Sequence, residues 1–467
     1  MASSEVPTAA TSGFMETRSM FTPEDNELLC RVEGDAAMGR LMRQHWVPAC
    51  MSQELPVPGG DPIRVRLLGE NLVAFRDSTG RVGMLEEACR HRSASLFYAR
   101  NEDGGLRCLY HGWKMNVSGE ILEMPSEPPD SRATKIMKQK AYPVKEAGGL
   151  IWTYLGDPQQ VPDFEPPAFA VGSNAKISIA KVVVRANWAQ VVEGGIDSSH
   201  SSNLHSDEMR GASGVEGSSI SRTEHHGLSN AFTVKRPSVD KAPRLKVETT
   251  NYGLRYVALR RPLTDPDTQE YARITVYVAP FTLLIPPNSS FSMAQYITPI
   301  DDHNTVFHFV AWGDDSVLGD GIDQDVWRKR AGATVGVDVD QNYRNLRTLE
   351  NRHMQDREAM KKGSFSGIQG TGNQDIAMWE SMGSISNRSK EGLVSGDLAV
   401  AQFRRLMVKA AREVEAGRPA IGTTAPHAVY AEIRAFEGLI PKTQDWRALG
   451  VGPVPALHPD KAQRRAA

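Results

Sequence analysis

The sequence has few cysteines, no long apolar run and no excess of charge of either sign, and each absence excludes a class of protein. Four cysteines in 467 residues are too few for a disulfide scaffold, so we expect a protein of the reducing cytoplasm. No run of about 18 apolar residues is present, which predicts no membrane-spanning helix. The formal net charge of −2 provides no basic surface for nucleic acid or for an acidic membrane.

The N-terminus also lacks the features of a secretion signal. Residues 1–22 are rich in Ser, Thr, Ala and Pro, and no basic segment precedes an apolar core. We expect these residues to form a disordered tail, and Met15 and Met20 offer later starts of translation.

The remaining length predicts two domains rather than one core. Short β-rich runs separated by turn residues, as in residues 63–85, predict a small antiparallel β domain over 23–160 that opens with a helical segment. Four prolines between 158 and 167 then mark a connection. Longer apolar strands and an amphipathic helix predict an α+β domain with a broad antiparallel sheet over 161–445, and residues 446–467 are expected to form a tail.

Two cysteines and two histidines alternate in the stretch CRHRSASLFYARNEDGGLRCLYHGW. Cys89 and His91 are separated by one residue and Cys108 and His111 by two, with 16 residues between the pairs. Structural zinc sites usually take both cysteines from one turn and both histidines from another, so the alternation argues against zinc. A Rieske [2Fe–2S] centre takes one Cys and one His from each of two loops, with thiolates on one iron and imidazoles on the other. The order therefore favours a Rieske cluster.

A second group of metal-ligand residues follows in the segment NWAQVVEGGIDSSHSSNLH. His200 and His205 would lie about 140° apart on an unbroken helix, so they can converge on one metal only if the helix ends between them. Two imidazoles and a carboxylate form the facial triad of non-haem Fe(II) oxygenases, which leaves coordination positions for O2. Asp197 precedes His200 by about one helical turn and lies on roughly the same face.

The segments CRHRSASL and CLYHGW resemble the two cluster-binding loops of the α subunits of Rieske non-haem iron aromatic ring-hydroxylating oxygenases. The segments FTPEDNELLCRVEGD, EMPSEP and QDIAMWESMGSI are similar to the phthalate 4,5-dioxygenase-like branch of that family. The resemblance extends from about Phe21 to about Leu439. The sequence departs from the family pattern at Arg90, where Pro is usual, and at Ser384 and Asn387, where relatives often carry Pro and Asp.

The resemblance implies a fold and further site residues. The fold is an antiparallel β Rieske domain followed by a helix-grip-like catalytic domain. The third iron ligand is Asp375, next to Gln374, and Asp356 is the alternative. Asp197 is the carboxylate that joins an iron-ligating His to a cluster His of a neighbouring subunit, which would carry electrons between the two centres.

The resemblance also implies partners and a reaction. The chain would be the terminal oxygenase of a multicomponent system that receives electrons from NADH through a separate FMN and [2Fe–2S] reductase, since no Gly-rich dinucleotide motif follows a strand here. The expected assembly is a homotrimer or a pair of stacked trimers. The expected reaction is cis-dihydroxylation of a phthalate-like aromatic carboxylate with O2. The alternative is a monooxygenase that cleaves an aryl ether or O-demethylates an aromatic acid.

A carboxylated substrate requires a cationic partner in the pocket, ideally a guanidinium. Arg255 is the first candidate because apolar residues flank it in a strand, and Arg222 and Arg273 are alternatives. Two other classes of protein compete with an oxygenase: an electron carrier with a non-catalytic second domain, and a zinc-stabilised binding module. An open iron site argues against the carrier, and the colour of the purified protein distinguishes a red-brown Rieske cluster from colourless zinc.

Overall fold

The structure is a computed structural model that describes most of the chain, namely residues 21–128, 130–171, 176–207, 209–211, 234–286, 291–313, 321–425 and 429–450. The tail predicted at residues 1–22 lies almost entirely outside the described residues. Among the described residues, no helix is both long enough and apolar enough to cross a bilayer.

Small antiparallel sheets form the N-terminal domain. Two helices, α1 (Pro23–Cys30) and α2 (Ala37–Arg43), precede them, and α3 (Ala133–Ile136) lies later in the domain. The strands are β1 (Trp46–Met51), β2 (Ile63–Leu67), β3 (Glu70–Arg76), β4 (Val82–Glu86), β5 (Arg100–Glu102), β6 (Gly105–Arg107), β7 (Lys114–Met115), β8 (Ile121–Glu123), β9 (Ala141–Tyr142), β10 (Val144–Ala147) and β11 (Leu150–Tyr154). They pair in the orders β1-β11-β10, β2-β3-β4-β9 and β5-β6-β7-β8.

A broad antiparallel sheet forms the centre of the second domain. The strands of this domain are β12 (Lys176–Val184), β13 (Met209–Gly211), β14 (Val234–Arg236), β15 (Arg244–Thr249), β16 (Gly253–Arg260), β17 (Gln269–Val278), β18 (Thr282–Ile285), β19 (Ser292–Pro299), β20 (Thr305–Gly313) and β21 (Phe436–Pro441). Eight of them form the broad sheet, in the order β12-β20-β19-β18-β17-β16-β15 with β21 beside β17. Strands β13 and β14 form a separate parallel pair. Every residue of β16 is buried, so both faces of the sheet are covered.

Helices pack against this sheet and complete the predicted α+β architecture, which is confirmed. These helices are α4 (Trp188–Ile196), α5 (Gln324–Ala331), α7 (Thr371–Ser381) and α8 (Leu398–Glu415), while the short helix α6 (Arg357–Lys361) has no buried residue. Buried side chains of α8 recur at helical spacing, as at Phe403, Met407 and Ala411. Phe403 lies edge-on to Trp188 of α4, with 5.8 Å between the ring centroids.

A buried ionic network fixes α4 to the C-terminal part of the domain. The Glu193 carboxylate of α4 accepts hydrogen bonds from Nε of Arg388 at 2.7 Å and from Nε of Arg404 at 2.8 Å. Burial by itself raises the pKa of Glu193, but the two guanidiniums outweigh it and hold that pKa below its usual value. The carboxylate therefore stays ionised, and removing one partner would leave a buried charge uncompensated.

Residues 446–450, the start of the predicted tail 446–467, pack against the sheet, and the rest of that tail lies outside the described residues. Trp446 is 3% exposed and belongs to an apolar cluster beneath the sheet that also contains Val257 and Ile274. An indole of this size has enough apolar surface to hold residues 446–450 against the sheet. The polar segment 342–373 consists of turns, the short helix α6 and the start of α7.

Candidate functional site

The two Cys/His pairs lie in two turns that have the same backbone geometry. The carbonyl of Cys89 accepts a hydrogen bond from the N–H of Ser93 at 2.8 Å, and the carbonyl of Cys108 accepts one from the N–H of Gly112 at 3.0 Å. Both donors have positive φ, 59° at Ser93 and 72° at Gly112, which closes each turn. The repeated geometry brings one cysteine and one histidine from each turn to a common region.

Within this region the cysteines lie inside and the histidines lie towards the surface. Cys89 and Cys108 are 2% and 3% exposed, and burial together with the neighbouring Cys108 raises the pKa of the Cys89 thiol to about 11. The rings of His91 and His111 are half-buried and lie 4.4 Å apart, centroid to centroid. Nδ1 of His91 is buried and has no hydrogen-bond partner among the described residues.

This donor set fits a Rieske cluster. Two buried sulfurs cannot both ionise without a nearby cation, and an orphaned imidazole nitrogen beside them is a ready metal ligand. Sulfur donors on the inner side and nitrogen donors on the outer side match a cluster with one iron held by each type. The His91 ring is also stacked on Trp113, at 4.5 Å and 5° between planes, which fixes its orientation.

Helix α4 ends at Ile196, before His200, whereas the sequence predicted that the helix would end between His200 and His205. Asp197 is the C-cap, and its carboxylate accepts hydrogen bonds from the N–H groups of Ser199 at 2.7 Å and His200 at 3.2 Å. An Asp side chain that bonds nearby backbone in this way competes with the helical ladder. A 3-10 turn, His200–Ser202, follows and turns the chain back towards His205.

Three side chains converge beyond the end of α4. Oδ1 of Asp375 lies 3.1 Å from Nε2 of His205 and 3.5 Å from Nε2 of His200, and the two Nε2 atoms are 3.2 Å apart. Donors about 2.1 Å from a first-row metal and at right angles to each other lie about 3 Å apart. The three atoms therefore fit three adjacent ligand positions around one metal ion.

The hydrogen bonds behind the two imidazoles fix their tautomers. Nε2 of Gln374 donates to the carbonyl of Ile368 at 2.8 Å, so its Oε1 faces Nδ1 of His205, at 2.6 Å. An amide oxygen only accepts, so Nδ1 of His205 carries the proton. Oδ2 of Asp197 lies 3.3 Å from Nδ1 of His200, and a carboxylate oxygen also only accepts, so this Nδ1 carries the proton as well. Both Nε2 atoms thus direct a lone pair to the point where a metal would bind.

Two glycines of α4 allow this helix to approach its neighbours closely, Gly194 against α7 and Gly195 against the sheet. A Cβ at Gly194 would lie 2.0 Å from Nε1 of Trp379 in α7, and a Cβ at Gly195 would lie 2.4 Å from Cδ1 of Leu283. A side chain at Gly194 would push α4 away from α7, and one at Gly195 would push α4 away from strands β18 and β19, which carry Leu283 and Gln295. Since Asp375 lies on α7, separating α4 from α7 would also remove the carboxylate from the histidines.

Asp356, the alternative ligand, has a different role. Its carboxylate caps α6 by accepting hydrogen bonds from the N–H groups of Glu358 and Ala359, both at 2.9 Å. It is not part of the group of donors formed by His200, His205 and Asp375. The Gln-Asp pair alone does not separate the two aspartates, because each follows a glutamine.

The prediction for Arg255 is wrong. Its guanidinium donates to the carbonyls of Arg447 and Leu449, and it lies 5.4 Å from the Trp446 ring, on the face of the sheet away from the triad. The register explains this position, because Arg255 pairs with Val276 of β17. Arg273 is three residues from Val276, so it points to the other face. Arg222 lies outside the described residues.

A cavity of about 110 Å³ adjoins the triad and contains cationic side chains. Arg273, one of the predicted alternatives, lines it, and so does Arg236, which the sequence reading missed. Both are buried, at 7% and 4% exposed. Burial and repulsion by Arg273 lower the pKa of Arg236 to about 9. Arg236 belongs to a two-stranded element remote in sequence from every motif, so no local signal identified it.

Comparison with known proteins agrees with the two-site geometry. A family model described as the Rieske [2Fe-2S] domain matches residues 45–143, and one described as LigXa C-terminal domain like matches residues 153–464. The phthalate 4,5-dioxygenase oxygenase subunit of Pseudomonas putida is 50% identical over 92% of this chain and 94% of its own length. The 3-chlorobenzoate-3,4-dioxygenase oxygenase subunit of Comamonas testosteroni is 34% identical over 91% of this chain and 97% of its own.

Solved structures share the fold at lower identity. The terminal oxygenase of carbazole 1,9a-dioxygenase from Novosphingobium sp. KA1 aligns with a TM-score of 0.52 at 19% identity, over 84% of this chain and 96% of its own. Dicamba monooxygenase bound to dicamba aligns with a TM-score of 0.52 at 17% identity, over 80% of this chain and 99% of its own.

The hydrogen bond from His205 to Gln374 predicts how the triad holds a metal. Replacing Gln374 with Met is expected to lower the affinity for Fe(II) about 10- to 100-fold, because the His205 tautomer is no longer fixed. Iron retained after dialysis against graded chelator measures this, and the visible spectrum of the cluster provides an internal reference. Gln369→Met, at an exposed glutamine five residues earlier, is the matched control. Equal iron retention in both variants would contradict the assigned role.

Proposed function

The chain belongs to the Rieske oxygenase family, and from this premise we propose that it is a terminal oxygenase that cis-dihydroxylates an aromatic carboxylate of the phthalate class. The main support for this substrate class is the position of Arg236 and Arg273, which line the cavity beside the triad. The curated relatives above, whose names include phthalate and chlorobenzoate, support the same class.

The buried arginines supply an unmatched positive charge. Arg236, Arg260 and Arg273 influence one another's pKa, and the buried carboxylate among them is Glu437. Nε of Arg236 and Nε of Arg273 have no hydrogen-bond partner among the described residues, and Glu437 forms a long ion pair with Nε of Arg273, at 3.9 Å. Burying guanidiniums without full compensation is costly, and an aromatic carboxylate entering the cavity would relieve that cost through charge-assisted hydrogen bonds.

The apolar side chains of the same cavity would hold the aromatic ring. Met293, Phe307 and Phe309 line the cavity together with the arginines and the triad. A ring anchored at its carboxylate by Arg236 and Arg273 would therefore lie against apolar walls, next to the metal position. Fixing the substrate at two points in this way favours attack at one edge of the ring.

Each metal group has a defined set of residues in this proposal. Fe(II) held by His200, His205 and Asp375 supplies open coordination positions for the activation of O2. A [2Fe–2S] cluster held by Cys89, His91, Cys108 and His111 supplies electrons one at a time. The chain's own residues fix the tautomers of the histidines, keep the cysteines away from water and present His111 near the surface.

Asp197 is the proposed electron bridge between subunits. Its side chain is about a quarter exposed while it holds His200, so one part of the carboxylate remains accessible. Burial opposes its ionisation, but hydrogen bonds from His200 and the backbone lower its pKa, so it stays a carboxylate. His111 is half-buried and follows the exposed Leu109 and Tyr110, and such a surface can contact a second copy of the chain. A head-to-tail contact of this kind closes into a ring, and we infer a homotrimer or stacked trimers.

The electrons come from outside this chain in the proposed reaction. Each turnover adds both atoms of O2 to the ring, which requires two electrons and two protons, and NADH supplies the electron pair. A separate reductase with FMN and a [2Fe–2S] cluster would split that pair for the one-electron cluster of the oxygenase. The proposed location of the system is the cytoplasm.

Substrate-dependent O2 uptake tests the proposed activity. The purified protein is combined with a phthalate-type reductase and NADH, and is offered phthalate, isophthalate, phenoxybenzoate, methoxybenzoates and uncharged analogues. We expect O2 uptake to match a product of a carboxylated compound that gains two oxygen atoms by mass spectrometry. Loss of an alkyl or aryl fragment would instead show an ether-cleaving monooxygenase. Coupling with uncharged compounds alone would refute the proposed substrate class.

Arg236 and Arg273 are expected to set the preference for a carboxylate. Arg236→Met or Arg273→Met should lower kcat/KM for the best carboxylated substrate by about 10- to 100-fold, since each change removes a charge-assisted hydrogen bond. The corresponding primary amide should be affected much less. Arg255→Met, on the opposite face of the sheet, is the matched control and should keep the preference. An unchanged ratio of acid to amide in both cavity variants would contradict the assignment.

The bridge role of Asp197 predicts a specific kinetic defect. Asp197→Asn should retain both the cluster spectrum and bound iron, but oxidation of the pre-reduced cluster by O2 and substrate should slow by about 10- to 100-fold. Stopped-flow absorbance of the cluster measures this in a single turnover. Asp356→Asn serves as the control, because Asn also caps helices and this residue lies outside the triad. Normal cluster oxidation in Asp197→Asn would exclude the bridge.

A further inference from the structure

A second and larger cavity lies away from the triad. Its volume is about 370 Å³, against about 110 Å³ for the cavity that contains Arg236 and Arg273, and the two cavities share no lining residue. Cavities of about 300 Å³ or more are typical of small-molecule sites. The connection between the domains, residues 162–169, forms one wall, and both domains contribute the others.

The walls of this cavity are mainly aromatic. Eight aromatic side chains line it: Trp46, Trp152, Phe164, Phe169, Phe281, Tyr296, Trp312 and Tyr430. Several are locked together edge to face, for example Trp152 against Tyr296 at 5.2 Å between ring centroids. The Trp46 indole also donates to the Pro162 carbonyl at 3.0 Å, which fixes its ring. The rings are therefore pre-organised, and their faces carry partial negative charge.

The charge of this cavity is opposite to that beside the triad. Among the described residues that line it, the charged ones are Asp163 and Glu165, and no Lys or Arg is present. Both carboxylates are exposed, which places them at the opening, and neither pairs with a cation in the described part of the chain. His45 adds no positive charge, because burial lowers its pKa to about 4.

We propose that this cavity binds a small organic cation with a flat apolar body, such as a protonated aromatic amine. Aromatic faces attract cations through their quadrupoles, and the two carboxylates at the opening reinforce the attraction. The same features disfavour an aromatic carboxylate, so this site would not compete with the cavity beside the triad for substrate. Because both domains line the cavity, an occupant would also hold them together.

Three ligands with one ring and different charge test the proposal. Benzylammonium, benzyl alcohol and benzoate are titrated into the full-length protein by isothermal calorimetry. We expect benzylammonium to bind about five- to tenfold more tightly than benzyl alcohol, which corresponds to roughly one cation–π contact or more. Binding of benzylammonium no tighter than that of the alcohol would overturn the proposal.

Two variants locate the binding. Ala168→Trp fills the cavity and should abolish benzylammonium binding, while Asp163→Asn/Glu165→Gln should weaken it severalfold. The control Asp61→Asn/Asp267→Asn removes two exposed carboxylates elsewhere and should bind normally. Unchanged binding in the Asp163→Asn/Glu165→Gln protein would refute the proposal even if Ala168→Trp does not fold. Benzoate binding that depends on Arg236 and Arg273 reports on the other cavity, so the two proposals succeed or fail separately.

Discussion

The close contact between helices α4 and α7 is the packing constraint on which the metal triad depends. The two histidines follow the C-terminal end of α4, whereas Asp375 and the orienting Gln374 lie in the first turns of α7. Metal ligation tolerates errors of only a few tenths of an ångström, so the two helices must keep one separation. Gly194 permits that separation because no Cβ intervenes between α4 and Trp379 of α7. The geometry of the triad therefore depends on how the two helices pack.

Two buried charge systems flank α4, and their difference shows where a ligand is needed. Glu193 lies between Arg388 and Arg404, so opposite charges meet and the network holds the helix in place. On the other side, Arg236 and Arg273 lie in the cavity with positive charge in excess. Glu437 is the carboxylate buried among them, 3.9 Å from Nε of Arg273. Buried charge in excess of its partners is destabilising, and proteins retain it mainly where a ligand completes the site. The unmatched system is the one that adjoins the triad.

In the two cluster-binding turns the cysteines and the histidines differ in burial, and this difference suits electron transfer to a partner. The cysteines are buried and the histidines lie at the surface, so the nitrogen-bound side of the cluster would face a partner. Exposed apolar side chains at Leu109 and Tyr110 beside His111 reduce the cost of excluding water from such a contact. Asp197 presents a partly exposed carboxylate with its pKa held low. The two surfaces are chemically suited to meet between copies of the chain.

The sequence alone determined the features that depend on local spacing. The alternation of Cys and His within each short turn, the helix before His200 and the alternating strands all arise from residues close together in the chain, and the structure contains each of them. The Gln-Asp pair alone does not distinguish Asp375 from Asp356, and the family resemblance of the segment that begins at Gln374 is what favoured Asp375. The packing of α7 against α4 then brings Asp375 to the histidines, while Asp356 caps α6. The choice of arginine was also beyond the sequence. Arg255 and Arg273 lie in equally apolar strands, and the face to which each points depends on the pairing register of β16 with β17. One residue of shift in that register would place both guanidiniums on one face, so only the tertiary structure decides which of them reaches the cavity.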